Sequence, residues 1–174
     1  MNTLRAFSRQ IDRLTDWVGF ALRWLALALV AVGVINVVGR YLGAQLGMQL
    51  SSNALLEFQL QAFSVIFLLG ASYLLRHDGH IRVDILNNQL KPRTRAWIDL
   101  VGTVGFLLPF CLVMIHFSVD FVVRSWSRLE VSPNPGGLPL YPIKTMLLVA
   151  FVLLLLQGIS HAIKCLDRLA GAPK

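Results

Sequence analysis

The chain has 174 residues, 56% of them hydrophobic and only 14% charged, with a mean hydropathy of +0.65. Soluble domains carry about a quarter charged residues, and a soluble chain this apolar would expose large adhesive patches, so the composition excludes an ordinary water-soluble domain and points to a bilayer. The net charge of +7 and pI of about 10.1 are spread between long apolar runs; that pattern fits anionic lipid headgroups and topology control, not a nucleic-acid partner.

The first element is an amphipathic N-terminal helix over 3–20. Leu4, Phe7, Ile11, Leu14 and Trp17 recur at helical spacing, and Arg5, Arg9, Asp12, Arg13 and Asp16 take the other face. Such a helix is expected to lie in the headgroup plane, its basic residues near anionic lipid. The long charged lead and the lack of a clean small-x-small cleavage site argue against a signal peptide.

Four apolar runs follow, each measured against the roughly 20 residues needed to cross the hydrocarbon core. They are assigned to 22–42, 55–75, 95–123 and 143–164. Arg23 and Arg40 flank the uncharged core of the first and can snorkel to the interfaces. Pro109 is expected to kink the third. Between the second and third runs lies a polar loop, 76–92; between the third and fourth lies a Pro- and Gly-rich loop, 124–142, whose prolines forbid a continuous helix and favour a stiff, shaped loop. A tail follows at 165–174. One membrane domain fills the chain.

Basic residues orient the spans. The segments before the first run, between the second and third, and after the fourth hold twelve Lys and Arg; the opposite side holds four, Arg40, Arg124, Arg128 and Lys144. The positive-inside rule places both termini and the 76–92 loop in the cytoplasm. The two cysteines, Cys111 and Cys165, fall at different depths and are too far apart to bridge.

The densest ionisable cluster is Arg76, His77, Asp78, His80, Arg82 and Asp84. The two histidines at i, i+3 with carboxylates nearby could seed a metal site, but Gly79 breaks the helix between them and the ligand set is incomplete. A turn is the better reading: Arg76 anchors the end of the second span, and the charged residues pair among themselves or with a partner. Glu57, near the start of the second span, could be a cation site if deep; close to an interface it is solvated or paired, with Arg40 a candidate. Trp126 and Tyr141 suit the membrane interface. Asn36 and Gln157 suit interhelical hydrogen bonds. His116 and His161 fall at different depths, which argues against haem. No cofactor, metal or catalytic residue is expected.

Several segments carry a resemblance: NVVGRYL at 36–42, LLGASYLLRHDGHIRVDIL at 68–86, RTRAWIDLVG at 93–102, SWSRLEVSPNPGGLPLYPIK at 125–144 and LLLLQGISHAIK at 153–164. With Glu57 opening the second span, they resemble the small, Q-type permease subunit of tripartite ATP-independent periplasmic (TRAP) transporters, nearly end to end. The resemblance implies an all-α integral membrane protein of the bacterial inner membrane and two protein partners: a large multispan, M-type permease subunit and a periplasmic substrate-binding protein. It implies uptake of organic acids driven by a sodium or proton gradient, with ion and substrate sites in the large subunit and the small one packed on its scaffold. Membrane phospholipids are the remaining partner. Candidates for contact with the large subunit or with lipid headgroups are Arg40, Glu57, Arg76, His77, Asp78, His80, Arg82, Asp84, Trp126, Glu130, Pro139 and Tyr141. The competing readings are a small dimeric exporter working through Glu57 and a four-span membrane enzyme with its site at 76–84.

Overall fold

The computed structural model describes residues 2–48, 51–77 and 92–170. Its helices are α1 (Asn2–Leu46), α2 (Asn53–Arg76), α3 (Pro92–Gly102), α4 (Leu108–Ser127) and α5 (Tyr141–Leu169). A π-helical turn, Thr103–Leu107, joins α3 to α4, so the two make one continuous rod. Among the described residues, four helices are therefore long and apolar enough to cross a membrane, and there is no extended strand, only one isolated bridge between Val131 and Pro139.

The N-terminal amphipathic stretch and the first span, expected as two elements, run together in α1. Its 45 residues extend about 68 Å at 1.5 Å per residue, roughly twice the 30 Å hydrocarbon core. Nothing between them breaks a helix: no proline occurs, and Gly19 alone costs too little. The helix stops at Gly47, whose φ of 68° is the left-handed conformation that ends helices. Ser52 starts α2, its side chain accepting the Ala54 N–H at 3.1 Å.

The expected break at Pro109 takes the form of the π turn just before it. Proline has no N–H to return to the preceding turn, and the backbone widens there, with Leu108 N–H bonding back to Thr103 O. A π-bulge is one of the few physical causes of irregularity in a long helix.

The C-terminal helix α5 is the hub of the bundle. It packs against α1, α2, and both halves of the third rod. Its inward stripe is Ala150, Leu153, Gln157, Gly158, His161, Ala162 and Cys165, recurring every three or four residues. Small and polar residues let membrane helices approach closely. The same rule brings α1 against α2: a Cβ on Gly19 would run into the Tyr73 ring, so only glycine fits there. Large apolar side chains point the other way, with Phe67 72% and Phe106 76% exposed.

Candidate functional site: polar clusters at opposite ends of the bundle

At the end carrying the chain termini, α1 turns its polar face into the bundle. Ser8, Ile11 and Thr15 are buried, whereas Leu4, Phe7, Leu14 and Trp17 are exposed. The headgroup-plane expectation put the basic residues of this stretch near anionic lipid; Arg9 and Arg13 are exposed, while Ser8, Asp12 and Thr15 face α2 and α5. The physical reason is that α2 and α5 offer charged and hydroxyl partners at matching heights, and a paired charge is cheaper inside a bundle than an unpaired one.

Asp12 is the centre of this cluster. Its carboxylate accepts from Lys164 Nζ at 2.8 Å, Ser160 Oγ at 3.0 Å and Gln157 Nε2 at 3.2 Å. Arg76 Nη1 stands 3.1 Å from the same oxygen, Oδ1, near enough for ion pairing though not aligned for a hydrogen bond. Arg76 Nη2 then donates to Asp16 Oδ2 at 2.5 Å, and His77 Nε2 lies 3.3 Å from Asp16 Oδ1. Because the Ser160 hydroxyl donates to Asp12, the Ser8 hydroxyl, 2.7 Å away, donates to Ser160. Thr15 donates to Gln157 Oε1 at 2.8 Å. Arg5 forks onto Asp167, Nε to Oδ2 at 2.9 Å and Nη2 to Oδ1 at 3.3 Å.

A second group at this end joins α3 to α5. A carboxylate oxygen of Asp99, a ring nitrogen of His161 and the Cys165 sulfur lie within 4.8 Å of one another. His161 and Cys165 are one turn apart, and Asp99 comes from another helix, so no linear motif marks the group. Leu100 and Ala162 close around the fully buried Cys165.

At the opposite end, Glu57 holds the loop between α4 and α5. Its carboxylate accepts from the Ser132 hydroxyl, from Asn134 Nδ2 at 2.9 Å and from the Leu138 N–H at 2.6 Å. One turn before it, Asn53 donates to Pro135 O at 3.3 Å; one turn after, Gln61 donates to Pro139 O at 3.2 Å. Asn53, Glu57 and Gln61 are thus a stripe at i, i+4, i+8 that binds the loop along its length. The expected Glu57–Arg40 pair is absent: the loop supplies the donors instead.

The loop also ties itself together. Ser132 N bonds to Leu138 O at 3.1 Å and Leu140 N to Glu130 O at 2.8 Å. Gly137 sits where a Cβ would lie 2.6 Å from Ser132 Cβ and 2.9 Å from Asn134 O. Glu130 accepts from the Lys144 ammonium and from Ser125 Oγ at 2.8 Å. These two hydrogen bonds, Lys144 first, hold its carboxyl below the ordinary glutamate value. Trp126 donates to Thr145 Oγ1 at 2.8 Å and packs at a tilt of 55° against Tyr141, ring centroids 4.6 Å apart.

The candidate residues therefore divide. Glu57, Pro139 and Glu130 meet in the loop anchor, with Trp126 and Tyr141 at its base. Arg76 and His77 belong to the cluster around Asp12 and Asp16. Arg40 stands apart, its guanidinium 6.0 Å from the Tyr41 ring centroid. Asp78, His80, Arg82 and Asp84 lie outside the described residues. Sequence reasoning passed over Asp12, Asp16, Ser160 and Lys164 as interior groups; the signal was their recurrence with Ser8, Thr15 and Gln157 every three or four residues.

This is the architecture of a multi-helix membrane protein in which the described carboxylates Asp12, Glu57 and Glu130 meet donors of the same chain. Residues 29–168 match the family model of the tripartite ATP-independent periplasmic transporters, DctQ component. The chain belongs to that family, the small permease component of TRAP transporters, a family of transporter components and not of enzymes. No curated protein and no solved structure matches it.

Proposed function

We propose that the chain is a non-catalytic scaffold subunit of a gradient-driven importer of organic acids. In this reading it packs on a large permease subunit in the inner membrane of a bacterium, with both termini cytoplasmic. The observation that carries the reading is the use of its polar groups. The Asp12 and Glu57 carboxylates each face three or more partners from other elements of the same chain. Neither carboxylate is thus left open to a transported ion or substrate, as a carboxylate in a transport site would be. Long apolar faces remain outward for lipid or a large partner.

Purification of the tagged chain from native membranes, with mass identification of what accompanies it, tests the proposal. A multispan permease should copurify; recovery solely as a homo-oligomer overturns it. The loop anchored by Glu57 is a natural docking surface for a periplasmic binding protein, given the orientation that the basic residues predict. The exporter reading is disfavoured by the same carboxylate, since Glu57 is already enclosed by three donors.

A further inference from the structure

We propose that the pocket between the end of α1 and the start of α2 binds the phosphoglycerol headgroup of an anionic phospholipid. The pocket is about 360 Å³, at the lower end of the roughly 300–1,000 Å³ usual for small-molecule sites. Unlike the apolar grooves elsewhere on the bundle, its walls are mostly polar: Asn36, Arg40, Ser51, Ser52 and Asn53 line it, with Pro135 and Gly136 as its rim.

Three features define the ligand. Arg40 supplies a guanidinium that pairs with no carboxylate among the described residues and lies over the Tyr41 ring. The N-terminus of α2, a helix of 24 residues, lies beside it; Ser52 takes the Ala54 and Leu55 N–H groups, so what the helix end offers an anion is the positive end of its dipole. Asn36, only 6% exposed, lines the same pocket with its Oδ1 buried and without a hydrogen-bond partner. A buried acceptor left unsatisfied is costly, and a turn of the Asn36 amide toward the pocket would let a ligand hydroxyl supply the missing donor.

A phosphate diester carrying hydroxyls meets both demands. A zwitterionic headgroup fits less well, because it brings an ammonium into a pocket whose one charged lining group is itself a cation, Arg40, and whose lining carries no carboxylate. The pocket holds a headgroup and not its acyl chains. Those have a track: Leu56, which lines the pocket, continues into Leu60 and Phe63 along one face of α2, all exposed. The inference rests on the chain spanning a membrane and not on its having a permease partner, so either can fail without the other.

The test uses the full chain, with any subunit that accompanies it, stripped of lipid in detergent and read by native mass spectrometry and thermal unfolding. The probes are phosphatidylglycerol, phosphatidylmethanol, phosphatidylcholine and soluble glycerol 3-phosphate. Phosphatidylglycerol should be retained as a single adduct and should raise the unfolding midpoint. It should exceed phosphatidylmethanol, which has the same charge but no hydroxyls, on the order of fivefold, as for one hydrogen bond. Arg40→Gln should lose retention and Arg40→Lys keep most of it; Asn36→Val should abolish only the preference over phosphatidylmethanol. The midpoint of each variant without lipid establishes that it folds. Equal retention of phosphatidylcholine, or retention unchanged in Arg40→Gln, overturns the proposal. Stabilisation by glycerol 3-phosphate as large as by the lipid overturns the lipid source in favour of a soluble phosphate ester.

Discussion

Glu57 Oε2 accepts the backbone N–H of Leu138 at 2.6 Å, across 81 positions of sequence. Through this bond, and those from Ser132 and Asn134, a carboxylate on α2 fixes the shape of a loop that belongs to α4 and α5. Replacing it by glutamine removes the charge and turns an amide N–H₂ toward groups that are themselves donors. Glu57→Gln should lower the thermal unfolding midpoint in detergent and speed proteolysis within 128–140. Glu57→Ala should do so further. A Glu57→Gln protein with an unchanged loop-cleavage rate would show that the loop holds its shape unaided.

Arg76 bridges two carboxylates of α1 with two different nitrogens, Asp12 by Nη1 and Asp16 by Nη2. A lysine ammonium is a single point and cannot reproduce that fork. Arg76→Lys should therefore lose most of the stability that Arg76→Ala loses. Asp12→Ala should cost about 2–4 kcal/mol, near the value for removing one partner of a buried ion pair, because Asp12 is only 15% exposed and faces two cations. A double-mutant cycle between Asp12 and Arg76, read by unfolding, checks both.

Gly19 faces Tyr73 with no space for a side chain. Gly19→Ala should force α1 from α2 and cost about 1–3 kcal/mol, the usual range for overpacking. Adding Tyr73→Ala should restore part of the loss if the ring is the obstacle. Additive destabilisation in the double variant would place the cause elsewhere.

Glu130 supplies a pH dependence. Its folded pKa lies below the ordinary value of 4.5, so the unfolded chain binds more protons between the two values, and stability rises with pH there. The contribution is complete above the unfolded value and is lost as pH falls through the folded one. Glu130→Gln should be less stable than the parent at neutral pH, and the gap between them should close on acidification below about 4.5. Unfolding midpoints of the two proteins across pH 3–7 measure it.

Much of this was open to a reader of the sequence. Apolar runs of membrane length, set off by Arg40, Arg76, Arg95 and Lys144, mark the four rods, because the thickness of a bilayer and the cost of a charge inside it leave few alternatives. The family is legible too, since segments such as SWSRLEVSPNPGGLPLYPIK are specific strings. The direction that α1 faces was not. In water its apolar side would turn inward, but a bilayer removes that driving force, and the stripe of Ser8, Asp12, Thr15 and Gly19 packs instead.

The sequence by itself determined what depends on composition and order: the number of the spans, the bias of positive charge, and the places where proline and glycine forbid a helix. Only the tertiary structure decided which charges meet. Asp12 with Lys164 and Glu57 with Leu138 are pairs between helices and loops far apart in the chain, and their meeting depends on the heights and rotations at which packed helices settle. A one-dimensional pattern shows that a carboxylate must find partners in a membrane; the packing of α1, α2 and α5 decides which ones.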